Sequence, residues 1–159
     1  MFTEADIDRE MNQLKIIWIA MLGSIGIYVF VAINFGGEIK APLDPSLLKT
    51  IRLVLYALSI LTVVITKLIR SKIIASISVG SERTGVPREM IGQVLQKYRV
   101  ANIVSFALCE TIAIYGLLLF LMGGSATDLY ILIALSALSM FLLRPRREEL
   151  EELIGDGWT

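Results

Sequence analysis

From Ile16 to Phe35 the chain runs for 20 residues without a charged side chain. As a helix rising about 1.5 Å per residue, such a run covers roughly 30 Å, the thickness of a bilayer's hydrocarbon core. A second long run, Val100 to Gly124, holds 25 residues and one charge, Glu110. Two others are shorter: Leu53 to Thr66 has 14 uncharged residues between Arg52 and Lys67, and Leu129 to Leu143 has 15 between Asp128 and Arg144. Their flanking Arg52, Lys67 and Arg144 can lay aliphatic stems along the helix and leave their charges among headgroups, so each effective span gains about a turn. The reading is an all-α, integral membrane four-helix bundle occupying residues 1–159 as one domain, with spans near 16–36, 48–69, 100–123 and 127–144.

Composition agrees and removes several function classes. Hydrophobic residues make up 55% of the chain and charged residues 19%. Fifteen basic residues balance fifteen acidic ones, so nothing points to a polyanion partner, and no nucleic-acid binding is expected. There is no histidine, the commonest metal ligand and general base. No metal site, cofactor or catalytic residue is expected, and the chain is not read as an enzyme. The single cysteine, Cys109, permits no internal disulfide and reads as a small buried side chain.

Orientation follows from the positions of Lys and Arg. Arg9 and Lys15 precede the first span, seven basic residues from Lys67 to Arg99 lie between the second and third, and Arg144, Arg146 and Arg147 follow the fourth. The remaining three, Lys40, Lys49 and Arg52, lie between the first two spans. The asymmetry places both termini and the middle loop in the cytoplasm of a bacterial-type inner membrane. The leader of the first span carries Glu4, Asp6, Asp8 and Glu10 without a basic cluster, so that span is expected to stay as an anchor rather than be cleaved.

The charged segments carry helical patterns of their own. Thr3 and Asp6 followed by Ile7, Met11 and Leu14 predict a short amphipathic helix before the first span. Leu68, Ile69, Ile73, Ile74 and Ile77 continue the second span. Pro87 opens a helix whose Met90, Ile91, Val94, Leu95 and Tyr98 share a face and lead into the third. Residues 68–99 thus form a cytoplasmic helical hairpin turning around Gly80 to Gly85, and residues 145–155 form a surface helix with Leu150, Leu153 and Ile154 on one side. These stripes either pack on one another and the membrane surface or dock a partner protein.

The sequence also aligns with itself. At an offset of 87, Ala20, Ser24, Ile25, Ile27 and Tyr28 meet Ala107, Thr111, Ile112, Ile114 and Tyr115, and Gly36-Gly37 meets Gly123-Gly124. At an offset of 77, Ala57, Leu58, Ser59 and Leu61 meet Ala134, Leu135, Ser136 and Leu138, and Lys67 and Arg70 meet Arg144 and Arg147. Two tandem helical hairpins of like orientation account for this pattern. Small residues, among them Gly23, Gly26, Ser59, Thr62, Ala113, Ser136 and Ser139, are expected to let the helices approach closely.

Glu110 breaks the repeat, standing where the first half has Gly23. An ionised carboxylate in the middle of a span costs several kcal/mol unless it is neutralised or paired, and no Lys or Arg lies at comparable depth. Glu110 should therefore be protonated or hold a cation, and face the bundle interior, a water pocket or another subunit. Thr111 and Tyr115 sit about 100° and 140° around the helix from it, so a site shared with an adjacent helix fits better than one closed by this helix alone. Ser59 and Thr62 of the second span, or Ser24 of the first, are the candidate partners. A protonated glutamic acid that donates a hydrogen bond and specifies helix packing is the plainer alternative.

The segment Ala107-Leu108-Cys109-Glu110-Thr111-Ile112-Ala113-Ile114-Tyr115-Gly116-Leu117 resembles the ion-binding helix of the proteolipid, or subunit c, of rotary ATP synthases and V-type ATPases. The resemblance implies that Glu110 takes up a proton or a sodium ion, with the Thr111 hydroxyl and Tyr115 at the spacing associated with sodium sites, in a homo-oligomer or a membrane-complex subunit. The chain differs from that family in lacking a glycine-repeat helix and in carrying its acid on the third helix. A non-catalytic scaffold or accessory subunit of a membrane complex is the alternative, with the cytoplasmic hairpin and the C-terminal helix as its docking elements.

Overall fold

A computed structural model describes residues 4–39, 43–78, 91–123 and 125–154. They form five helices: α1 (Glu4–Ile39), α2 (Pro45–Ser78), α3 (Ile91–Leu121), α4 (Ala126–Leu142) and α5 (Arg147–Ile154). Among the described residues, α1, α2 and α3 are each long and apolar enough to cross a membrane. α4, with 17 residues, is about 26 Å long, and it meets that length only when taken with α5, from which it is bent by 44°. The amphipathic helix expected before the first span is not separate: it is the opening of α1. The expected turn from Gly80 to Gly85, with Pro87 and Met90, lies outside the described residues, as do Thr3 and the tail Gly155 to Gly157.

Local chemistry sets the helix boundaries. α2 opens on Asp44-Pro45, an N-cap type residue followed by a proline whose missing N–H is harmless at the first helical position. α4 opens on a complete capping box: the Ser125 side chain accepts from the Asp128 N–H, and the Asp128 carboxylate accepts from the Ser125 N–H. Between α3 and α4 the chain reverses at Gly123, whose φ of 96° is open to glycine and strained for other residues.

α3 is the central helix, with α1, α2, α4 and α5 all packed against it. It buries 39% of its most apolar stretch, against 6% for α2. α1 and α2 touch each other little and each lies mainly on α3, so α1–α2 is not a closely packed hairpin. The α3–α4 pair, by contrast, is intimate. A Cβ on Gly116 would lie 3.0 Å from Leu132 Cβ and 3.3 Å from the Leu129 carbonyl oxygen, and Ser136 Oγ donates to the Cys109 carbonyl at 2.6 Å. Gly23 and Gly26 behave differently from the expectation of close packing, since a Cβ on either would meet no atom within 4 Å.

Three apolar clusters hold the helices. One joins α1, α3 and α4 through Ile25, Cys109, Ala113 and Met140. A second joins α2, α3 and α4, with Ile112, Leu119 and Leu132 against Leu55, Tyr56 and Tyr115. The third forms the basal end of the molecule, where Ile7, Met11 and Leu14 of α1, Ile91, Leu95 and Tyr98 of α3, and Leu150, Leu153 and Ile154 of α5 close together. The amphipathic stripes of α1, α3 and α5 are thus covered by one another, whereas of the stripe that continues α2 only Ile74 packs against them. Outside these clusters Ile19, Ile27, Phe30 and Ile33 of α1, Leu53, Ile60 and Leu68 of α2, and Ile131, Leu138 and Phe141 of α4 are exposed, an apolar belt far larger than a soluble monomer carries.

Candidate functional site

Glu110 projects from α3 toward α1, where two hydroxyls meet one of its oxygens. Ser24 Oγ is 2.5 Å and the Tyr28 hydroxyl 2.7 Å from Glu110 Oε1. Ser24 and Tyr28 are four residues apart and so lie one above the other on α1, on the side that packs Ile25 and Met21 against Cys109 and Ala113. The carboxyl group is neither fully buried nor open; Glu110, Ser24 and Tyr28 are all half-buried.

The Ser24 hydroxyl stands between two acceptors. Ser24 has one hydroxyl proton, yet its oxygen lies within hydrogen-bonding distance of both Glu110 Oε1 and the Met21 carbonyl oxygen, 2.7 Å away. With Glu110 ionised, that one proton is shared between the two acceptors. With Glu110 protonated, every contact is satisfied: Tyr28 donates to Glu110, Glu110 donates to Ser24, and Ser24 donates to Met21. This chain of hydroxyls is suited to holding a neutral carboxylic acid at a helix interface. It is also one proton away from a carboxylate with two hydroxyl donors.

The other residues singled out in the sequence are placed differently. Thr111 Oγ1 donates to the Ala107 carbonyl at 2.9 Å, Ser59 Oγ to Leu55 at 2.7 Å and Thr62 Oγ1 to Leu58 at 2.8 Å, so each hydroxyl is turned back on its own helix. Tyr115 packs among α2 and α4 residues, well round α3 from Glu110. The hydroxyl partners of the acid therefore come from α1 and not from α2 or from α3 itself. Ser24 was among the candidate partners. Tyr28 was visible only as the repeat mate of Tyr115, and the signal that could have found it is its spacing of four from Ser24.

Two further polar clusters tie the ends of the helices. At the apical end Asp128 receives the Arg52 guanidinium at 2.8 Å and the Tyr56 hydroxyl at 3.1 Å in addition to its capping role. At the basal end Arg70 pairs with Glu149 at 2.6 Å, and the Tyr98 hydroxyl lies 3.1 Å from both the Glu149 carboxylate and the Arg146 carbonyl. Arg99 pairs with Glu10 and Arg147 with Asp8. The sequence marks Arg52 and Asp128 as span limits but does not say which charges pair across helices. Among the described residues no group of three or more His, Cys, Asp and Glu is arranged to hold a metal ion. The chain matches no protein-family model, no curated protein and no solved structure.

Proposed function

We propose that this chain is a multi-pass membrane protein whose Glu110, held by Ser24 and Tyr28, reversibly binds a proton at the α1–α3 interface. The single observation that carries the reading is the hydroxyl relay on Glu110 Oε1, in which each contact has a proton of its own when the acid is neutral. A membrane location is supported by three long apolar helices and by the exposed apolar belt around them. The basic residues concentrated at one end favour that end as the cytoplasmic one. Four spans then require the bilayer to thin locally around α4, which is slightly short for a hydrocarbon core.

A proton is preferred to sodium because sodium would replace the carboxyl proton and part the two hydroxyls from Glu110 Oε1, with which they are already in direct hydrogen-bonding contact. The reading remains proteolipid-like in its chemistry, an intramembrane carboxylic acid that exchanges a cation. The scaffold reading loses a main attraction, since the apolar faces of α5 and of the start of α1 are engaged internally.

Labelling with dicyclohexylcarbodiimide, which attacks protonated carboxyl groups in apolar surroundings, tests the proposal on the folded, detergent-solubilised protein. Modification should localise to Glu110, decline as pH rises, and vanish in Glu110→Gln. Added sodium at fixed pH should leave it unchanged; protection by sodium would favour a sodium site. A folded protein that resists the reagent at every pH would remove the basis for proton exchange.

A further inference from the structure

Where α4 gives way to α5 a notch opens against α1. It has a volume of about 480 Å³ and is walled by Lys15, Trp18, Arg144, Arg146, Arg147 and Glu148 among others. Arg147 already holds Asp8 and Glu151. Lys15, Arg144 and Arg146 are exposed, and among the described residues none of the three has a carboxylate partner. Glu148 brings one negative charge, so the notch carries an excess of positive charge.

The notch also lies at a defined level. Trp18 donates its indole N–H to the Met140 carbonyl in the last turn of α4 at 3.0 Å, and its ring stands 6.4 Å from that of Phe141. The Arg144 guanidinium lies over Phe141, 5.5 Å from the ring centroid. An amphipathic indole beside the last apolar turn, with cations immediately beyond, is the arrangement expected where hydrocarbon meets headgroups. Exposed Ile16 and Ile19 continue the apolar surface on one side of the notch, and Arg146 lies on the other.

We propose that this notch binds the phosphate of an anionic phospholipid headgroup, with Lys15, Arg144 and Arg146 on the phosphate and the acyl chains running along α1 and α4. The proposal rests on the membrane-spanning reading above but not on Glu110. A bilayer lipid is favoured over a soluble phosphate because the apolar surface beside the cations would accept acyl chains. Each cation near such a headgroup contributes roughly a fivefold preference over a zwitterionic lipid.

Trp18 supplies the readout. In a Trp158→Phe background it is the sole tryptophan, and the full chain can be placed in phosphatidylcholine nanodiscs containing a minor fraction of either brominated phosphatidylglycerol or brominated phosphatidylcholine. Brominated phosphatidylglycerol should quench Trp18 more strongly at equal mole fraction. Arg146→Gln should reduce that preference about fivefold, Lys15→Gln/Arg144→Gln/Arg146→Gln should abolish it, and Lys72→Gln, at the same end of the molecule but outside the notch, should not change it. Quenching by brominated phosphatidylcholine should persist in all variants, reporting an intact fold. Equal quenching by the two lipids in the parent overturns the proposal, as does loss of the preference on adding inorganic phosphate at constant ionic strength. Absence of quenching by either lipid would instead overturn the membrane-spanning reading.

Discussion

Arg52 of α2 reaches across the apical end to Asp128 at the start of α4, with Nη2 2.8 Å from Oδ2. Asp128 is nearly covered while Arg52 stays largely exposed. The same carboxylate completes the capping box that opens α4 and accepts from Tyr56, so one side chain fixes the start of the helix, ties it to α2 and neutralises a charge at the edge of the apolar region.

That arrangement predicts a measurable coupling. In a double-mutant cycle with Arg52→Gln and Asp128→Asn, followed by thermal unfolding in detergent, the pair should show about 1 kcal/mol of interaction, towards the upper end for a pair with one exposed member. Asp128→Ala should lose about 1 kcal/mol more than Asp128→Asn, the net value of one hydrogen bond, because alanine also removes the acceptor for the Ser125 N–H while the Ser125 hydroxyl cap remains. Strictly additive single mutants would mean the pair does not hold α2 to α4.

Glycine substitutions on α1 and α3 should have opposite signs. Gly116→Ala places a methyl 3.0 Å from Leu132 Cβ and 3.3 Å from a backbone carbonyl, neither of which is the end of a flexible side chain, so overpacking of about 1–3 kcal/mol outweighs the gain in helix propensity. Gly23→Ala meets open space and should stabilise by up to about 1 kcal/mol. Thermal unfolding of the two variants side by side checks the contrast. A destabilised Gly23→Ala would place Gly23 in a contact with a second copy.

The basal layer predicts a release of α5. Leu150 is 1% exposed and packs with Leu153 and Ile154 against the starts of α1 and α3. Leu150→Ala should cost about 2–4 kcal/mol of local packing and free the backbone after Arg146 and Arg147 for cleavage by trypsin. Limited proteolysis should cut this variant several times faster, while Glu152→Ala, on the exposed side of α5, cleaves like the parent.

At the acid itself, Glu110→Gln should cost about 1 kcal/mol, because Ser24 and Tyr28 both meet Oε1 and an amide offers there either an oxygen that only accepts or a nitrogen that only donates. Tyr28→Phe and Ser24→Ala should each cost about 1 kcal/mol, the net value of one hydrogen bond. A Glu110→Gln variant that is strongly stabilised would argue that the parent carboxylate is ionised at rest.

Much of this molecule is written in one dimension. The uncharged runs beginning at Ile16, Leu53 and Val100 determine three long apolar helices, since backbone groups deprived of water must pair within the segment. The periodicity of Leu150, Leu153 and Ile154 determines that α5 has an apolar face. The position of Glu110 within an apolar run already marks it as a residue that needs neutralising company. Helical periodicity, however, says in which direction a side chain leaves its own axis and nothing about which neighbour stands there.

Tertiary structure decided the rest. It put α3 in the centre, so that α1 rather than α2 faces Glu110, and it turned the hydroxyls of Ser59, Thr62 and Thr111 back onto their own helices, where a carbonyl four residues away is always within reach. It brought Ser24 and Tyr28 to an acid more than eighty residues distant, and folded α5 back onto α1 and α3. Such encounters depend on how three long cylinders pack around a fourth, a balance of many small contacts distributed over the whole chain, and no local stretch of sequence carries that sum.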